Sequence, residues 1–268
     1  MDRKYKILLS AAGTLVAAGG AYVLWQARKL SPPKINDAQE AGRIILQGGQ
    51  RVLVFTAHPD DVELLAGGTL RRLHQLGSPI TVVDATDGEK GVNMQNLAPR
   101  RQREQKLASS ILGYDDIKFL HFPDMELKDQ DKLLARVKSI WEEENPQLVF
   151  AFDPLHYHPW LRHPDHIALG EAVVHAAGEL DSDAMICLYG SAKASQLVDI
   201  SGVINIKVRA VCSHRSQLRG GIRMTKMLVR RLARTTAFGS PFRYAEAFRS
   251  LHNIHTFVPP TAEEQAES

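Results

Sequence analysis

The chain reads as an α/β protein with a doubly wound, mostly parallel sheet. Three observations predict it. Short apolar, β-branched runs recur along most of the sequence; helical patterns alternate with them; and the helical patterns end at glycine or just before proline. That alternation is the signature of strand–helix–strand units. With 268 residues, 44% hydrophobic and 24% charged, the composition is ordinary for one folded domain of this kind.

The elements follow in order. Ile7 to Trp25 carries no charge, and as a helix it would span roughly 28 Å, close to a bilayer core. Tyr5, Tyr22 and Trp25 lie near its ends, where amphipathic rings prefer the interface. Residues 1–30 are therefore expected to be an N-terminal transmembrane helix, a single-pass anchor, with a cleaved signal segment as the competing reading. Lys and Arg flank it equally, so its orientation is not readable. Residues 31–49 read as a linker and short helix: Ser31-Pro32-Pro33 is stiff, Asn36 or Asp37 can cap a helix to about Gln47, and Gly48-Gly49 stops it. The globular part is expected over residues 50–258. Its strands are predicted at Val52–Thr56, Ile80–Ala85, Ile117–Phe122 and Leu148–Phe152. Its helices are predicted from about Asp61 to Leu76, Pro99 to Leu112, Gln130 to Glu144 and Pro164 to Gly178. A basic amphipathic helix over Arg219 to Arg234 suits either anionic headgroups or plain solvent. Residues 259–268 read as an acidic tail.

Composition narrows the function. A net charge of +3 is too small to argue for nucleic acid. Two cysteines without a Cys-x-x-Cys pair argue against a disulfide framework or a thiolate metal site. No Gly-x-Gly-x-x-Gly follows the first strand, and two carboxylates in that turn would repel a pyrophosphate, so a dinucleotide is a poor candidate.

That turn is Ala57-His58-Pro59-Asp60-Asp61, and a second cluster, His163-Pro164-Asp165-His166, follows the fourth strand. With strand order 3-2-1-4, strands 1 and 4 are neighbours and ligands bind beyond their carboxyl ends. Segments distant in sequence then meet in one crevice. The economical assignment gives His58, Asp61 and His166 to a metal, since nitrogen and oxygen ligands with open positions suit catalytic Zn²⁺ and also Fe²⁺ or another divalent ion. Asp60 can take a proton from water beside the ion, and His163 can steady an oxyanion or protonate a leaving amine. Competing structural readings make Asp60 a helix N-cap, His163 a surface loop residue and Asp165 a residue of the first helical turn.

On these motifs the chain resembles the LmbE-like (PIG-L) family of zinc-dependent de-N-acetylases. Weaker matches agree in order: Thr86-Asp87-Gly88-Glu89, Arg101-Gln102-Arg103-Glu104, Phe122-Pro123-Asp124, Ser213-His214-Arg215-Ser216-Gln217 and Tyr244-Ala245-Glu246-Ala247-Phe248. The resemblance implies a Rossmann-like domain that removes an N-acyl, normally N-acetyl, group from an N-acetylglucosamine-type sugar. It implies His58, Asp61 and His166 as zinc ligands, Asp60 as general base and His163 as oxyanion stabiliser or acid. Arg101, Glu104, Glu89 and His214 are the candidates for substrate binding; as structural readings, Arg101 and Glu104 form an i,i+3 surface pair and His214 is a core histidine. The loop from Asp153 to Arg162 can serve as a lid or a sugar-stacking wall. The expected partner is an amino-sugar conjugate, lipid-linked if the anchor holds, with the oligomeric state open. Two readings compete: a non-haem iron oxygenase using the two-His-one-Asp set, and a non-catalytic membrane-tethered glycan- or nucleotide-binding module.

Overall fold

The computed structural model describes residues 45–251, except 93, 128, 129 and 219 and the side chain of 160. Seven strands, β1 (Val52–Thr56), β2 (Ile80–Thr86), β3 (Asp116–Phe122), β4 (Leu148–Phe152), β5 (Met185–Tyr189), β6 (Gln196–Asp199) and β7 (Ala245–Leu251), form one sheet in the order β3-β2-β1-β4-β5-β7-β6. The first five in that order run parallel; β7 is antiparallel to both β5 and β6. Helices α1 (Asp61–Leu65), α2 (Gly67–Gln75), α3 (Leu97–Leu112), α4 (Gln130–Glu144), α5 (Pro164–Glu179), α6 (Ile204–Val211) and α7 (Gly221–Thr236) connect and cover the strands.

Strands β1, β2, β4 and β5 are buried along their whole length. That is why they read as continuous apolar runs rather than alternating ones. Edge strand β3 is only partly buried and carries Asp116, Lys118 and His121, charges and a ring that blunt an open edge. Chain order reverses between β1 and β4, so the turns after these strands share the carboxyl edge of the sheet.

Strands β1 and β4 and helix α4 have the predicted bounds, and β2, β3, α3 and α5 differ from them by one or two residues. The long helix predicted from Asp61 breaks at Ala66 (φ −133°). The cause is a buried carboxylate. Glu246 Oε1 accepts the Gly68 N–H at 2.8 Å, and Oε2 accepts the Thr69 N–H at 2.7 Å, so the amides of a new helix start point at a side chain from β7. A Cβ at Gly68 would lie 2.7 Å from Ile200, so the approach of that chain requires glycine. Lys207 of α6 completes the junction: its Nζ bonds Glu246 Oε1 and the Leu64 carbonyl, and both charged side chains are 3% exposed.

The expected placement as a single-pass membrane protein is corrected. Among the described residues no helix is long and apolar enough to cross a membrane. The apolar stretch from Ile7 to Trp25, the linker and the acidic tail lie outside the described residues, as does most of the short helix expected to end near Gln47.

Lys207→Met removes one partner of a wholly buried ion pair and is expected to cost about 3–5 kcal/mol of unfolding free energy. Urea denaturation of the variant measures it; a loss below about 1 kcal/mol would show that the junction relaxes around an unpaired Glu246.

Candidate metal centre

The turn after β1 is held in a conformation few residues adopt. Asp60 has φ +111° and ψ −23°. Such backbone costs about 1–3 kcal/mol and persists only when its surroundings enforce it. Arg101 of α3 is the main restraint. Its Nη2 donates to the Pro59 carbonyl and, at 3.0 Å, to Asp60 Oδ1; its Nη1 donates to the Gly88 carbonyl at 2.9 Å. Gly88 has φ +63°, and a Cβ there would sit 2.1 Å from Arg101 Nη1. The Asp-Gly pair after β2 is thus both a turn and the opening through which the guanidinium reaches β1. Gln105 Oε1 accepts the Asp60 N–H at 3.2 Å.

Asp60 stands at the N-cap position of α1, but its side chain makes no capping bond to that helix. Its side chain is 31% exposed, with Arg101 on one oxygen. Burial pushes its pKa up to about 6, with Asp61 adding to the rise and Arg101 opposing it.

Asp61, at the first position of α1, brings the two clusters together. Its Oδ2 lies 3.2 Å from His58 Nδ1 and 3.4 Å from His166 Nε2, and accepts the His58 backbone N–H at 2.9 Å. His166 is fixed in ring plane and tautomer. It stacks on Phe152 with centroids 3.8 Å apart, and its Nδ1–H donates to the Leu161 carbonyl at 3.1 Å, which turns Nε2 toward Asp61. His163 is the N-cap of α5, and its Nδ1 accepts the Asp165 N–H at 3.3 Å. An imidazole accepting at Nδ1 is neutral and carries its proton on Nε2. Burial, and then the facing His58 and His166, hold its pKa low in agreement with that state. Its ring stands edge-on to His58, centroids 4.6 Å apart, and His58, His163 and His166 each offer a ring nitrogen within 4.8 Å of the other two. His58, Asp61, His163 and His166 from the two motifs therefore lie together, while the Asp60 carboxylate, next to Asp61 in the chain, is bonded to Arg101.

Two carboxylates that sequence reasoning left aside also join them. His58 Nε2 lies 3.2 Å from Asp124 Oδ1 and 3.4 Å from Asp165 Oδ2. The remaining oxygen atoms of this pair are bound to backbone: Asp124 Oδ2 accepts the Lys90 N–H at 2.9 Å, Asp165 Oδ1 accepts the Leu127 N–H at 3.4 Å, and Asp165 Oδ2 also takes the Met125 N–H at 2.7 Å. Asp165 reads as an ordinary first-turn acid and Asp124 as part of a short Pro-Asp match; neither shows its target in the sequence. Burial alone would lower the His58 pKa, but Asp124, Asp165 and Asp61 outweigh it and hold His58 well above its usual value. Against burial, His58 in turn holds Asp124 down at about 2.

The set fits a divalent cation. Two imidazole nitrogens and a carboxylate oxygen converge, and an acceptor behind each imidazole fixes the nitrogen that faces inward, as metal-ligating histidines require. His58 loses its Nδ1 proton when a cation takes that position, so binding is linked to proton release.

The residues expected to bind substrate are placed differently. Arg101, Glu104 and His214 are 4%, 8% and 1% exposed and face protein groups. Glu104 is not paired with Arg101: it accepts from Arg100 Nε at 3.1 Å, from the Ser216 N–H at 3.0 Å and from Ser216 Oγ at 2.6 Å. His214 precedes a short 3₁₀ turn, Arg215–Gln217, and its Nε2 is 3.2 Å from Glu63 Oε2. These three form a buried support beneath the site. Glu89 is exposed and accepts the Asp124 N–H at 2.8 Å. The loop expected as a lid is tied down at its base, since Asp153 takes Arg249 on both oxygens (2.7 and 2.8 Å) and the His158 N–H bonds Gly190 O at 2.8 Å.

Residues 53–177 match the family model described as PIG-L, GlcNAc-PI de-N-acetylase. Diacetylchitobiose deacetylase of Thermococcus kodakarensis is 31% identical over 235 residues, which is 80% of this chain and 87% of that protein. A probable N-acetyl-alpha-D-glucosaminyl L-malate deacetylase 2 of Bacillus cereus is 33% identical over 63% of this chain and 84% of its own length. Among solved structures, N,N'-diacetylchitobiose deacetylase from Pyrococcus horikoshii superposes with a TM-score of 0.70 at 28% identity, covering 80% of this chain and 88% of that one.

Asp124→Asn keeps the shape of the second carboxylate pair but weakens the acceptor behind His58. It is expected to lower Zn²⁺ affinity of the metal-stripped protein 10- to 100-fold, in the range typical of such outer partners (about 10–100-fold). Competition with a chromophoric chelator measures this, and an unchanged affinity would remove Asp124 from the support of the centre.

Proposed function

The chain belongs to the PIG-L (LmbE-like) de-N-acetylase family, and from that premise we propose that it is a metal-dependent amidohydrolase that removes the acetyl group from an N-acetylglucosamine-containing conjugate. The observation that carries this reading is the convergence of His58, Asp61 and His166, with a further carboxylate, Asp60, adjoining Asp61 in the chain and aimed by Arg101. The catalytic unit is residues 50–258. The substrate is read as an amino-sugar conjugate.

His58, Asp61 and His166 hold the ion, with Zn²⁺ the first choice for this donor set. When bound, the ion polarises the amide carbonyl and acidifies water. Asp60 removes the proton from attacking water; Arg101 aims its carboxylate and keeps it ionised against the pull of burial. His163 donates from Nε2 to the carbonyl oxygen as negative charge gathers there, a role suited to a neutral imidazole whose Nδ1 already accepts a backbone N–H. Asp60, once protonated, returns its proton to the departing amine. Arg101, Glu104 and His214 act as positioning residues, not as contacts to sugar. A base beside the ligand set supports hydrolysis over the oxygenase and the binding-module readings, neither of which needs one.

Release of acetate from diacetylchitobiose or an N-acetylglucosaminyl malate is the direct assay. Activity is expected to vanish on chelation and return with Zn²⁺, and Asp60→Asn is expected to lose about 10²–10⁴-fold in kcat, the usual contribution of a general base. A variant that keeps wild-type turnover would end the assignment of Asp60.

The pH profile carries a sign. Asp60 works as the carboxylate, so kcat/KM falls as pH drops through its pKa, at or below pH 6 because a bound cation lowers it further. Arg101 lowers that pKa, so Arg101→Gln should move the acid limb to higher pH; an unmoved limb would mean that another group titrates.

A further inference from the structure

A pocket beside the candidate metal centre has no part in the chemistry described so far. It holds about 80 Å³ at the carboxyl edge of the sheet, walled by Leu64 and Leu65 of α1, Leu161 of the loop before α5, Leu232 and Ala233 of α7, and Ala247 of β7. The pocket abuts the centre through shared walls. Helix α1 begins with Asp61 and ends with Leu64 and Leu65. Leu161 gives its carbonyl to His166 Nδ1 and its side chain to the pocket. At Gly190, also in the wall, an added Cβ would be 2.9 Å from Leu161 Cδ1 and 3.8 Å from Phe152 Cδ1, and Phe152 is the ring stacked on His166.

His158, Ser191, Lys207, Thr236 and Glu246 also line this space, and the charged pair among them is already engaged. Lys207 Nζ is bonded to Glu246 and the Leu64 carbonyl, and the Glu246 oxygens are taken by the Gly68 and Thr69 amides and by Thr69 Oγ1. Ser191 Oγ accepts the Lys193 N–H at 3.1 Å. A polar ligand reaching the charged pair would have to displace one of these bonds inside a low-dielectric wall, whereas an apolar one removes from water the leucine and alanine surface that makes up most of the lining. Size sets an upper bound. The space is about half the ~150 Å³ of an engineered apolar cavity that takes benzene, which leaves room for an alkyl chain of about three or four carbons.

We infer that this pocket is a subsite for a short alkyl arm of the substrate, so that the enzyme prefers amino-sugar conjugates carrying such an arm over bare N-acetylglucosamine. The inference rests on the deacetylase reading. The arm has two sources with the same chemistry: an N-acyl chain longer than acetyl, or an alkyl aglycone.

Two substrate series separate them with the full-length, metal-loaded protein. One holds the glycoside as methyl and lengthens the N-acyl group from acetyl through propionyl and butyryl to hexanoyl. The other holds N-acetyl and lengthens the aglycone from methyl through propyl to hexyl. In one series kcat/KM is expected to rise about fourfold per methylene and to level off after about three, as the pocket fills. In Ala247→Leu and in Ala233→Leu, which fill the space, the ratio of longest to shortest substrate is expected to fall to about one. Thermal unfolding checks each variant, and the half-buried Ala247 preserves the test if the buried Ala233 change misfolds. A flat response in both wild-type series overturns the subsite, as does a slope that survives in a folded, filled variant. Absence of hydrolysis for every substrate, including N-acetyl methyl glycoside, overturns the deacetylase reading instead.

Discussion

One guanidinium carries the turn on which the site is built. Arg101 reaches from α3 across the mouth of β2 to the end of β1, and its bonds to Pro59, Asp60 and Gly88 fix three backbone segments relative to one another. The strained φ of Asp60 survives because the planar fork satisfies two carbonyls and a carboxylate at once. Several sequence features follow from this. Gly88 must lack a side chain, Pro59 stiffens the segment the fork grips, and Asp60 is turned away from the helix it precedes. A lysine would keep the charge and lose the geometry, since its ammonium has no fork to span separated acceptors.

Around that turn the protein builds a negative environment before any cation arrives. Asp61 stands on the Nδ1 side of His58, and Asp124 and Asp165 stand on its Nε2 side. Beneath them Asp84 is wholly buried, and burial, then Glu63 and Asp61, push its pKa well up, which disfavours a further negative charge there. Charge is therefore concentrated where a dication can balance it. The same fields that hold His58 protonated in the metal-free protein orient it once that proton has left.

Much of this was legible in the sequence. Strands β1, β2 and β4 announce themselves as unbroken apolar runs because helices cover both of their faces, whereas the equally buried β5 is not among the strands the sequence predicts, and the two His-Pro-Asp clusters acquire meaning once strands 1 and 4 are neighbours. What escaped lies in three-dimensional pairing. β7 carries Glu246 and Arg249, charges that argue against a strand until their partners Lys207 and Asp153 appear beneath it. The break at Ala66 is invisible locally because its cause, Glu246, comes far later in the chain. Arg101, Glu104 and His214 look like groups for sugar because polar residues in matched motifs suggest contact with ligand; burial turns them inward. Asp165 has the signature of a first-turn acid, and no local pattern tells an acid facing solvent from one facing an imidazole.

The position of β7 constrains the order in which the molecule can assemble. The strand that comes after all others in the sheet is the one that slots between β5 and β6. A nascent chain that has not yet delivered Ala245–Leu251 can join β1 to β4 but cannot link β5 to β6, and it lacks both the carboxylate that starts α2 and the arginine that anchors the loop before α5. Such pairings distant in sequence form slowly and late. Synthesis thus delivers the residues of the candidate metal centre before the strand that joins β5 to β6 and supplies Glu246 and Arg249.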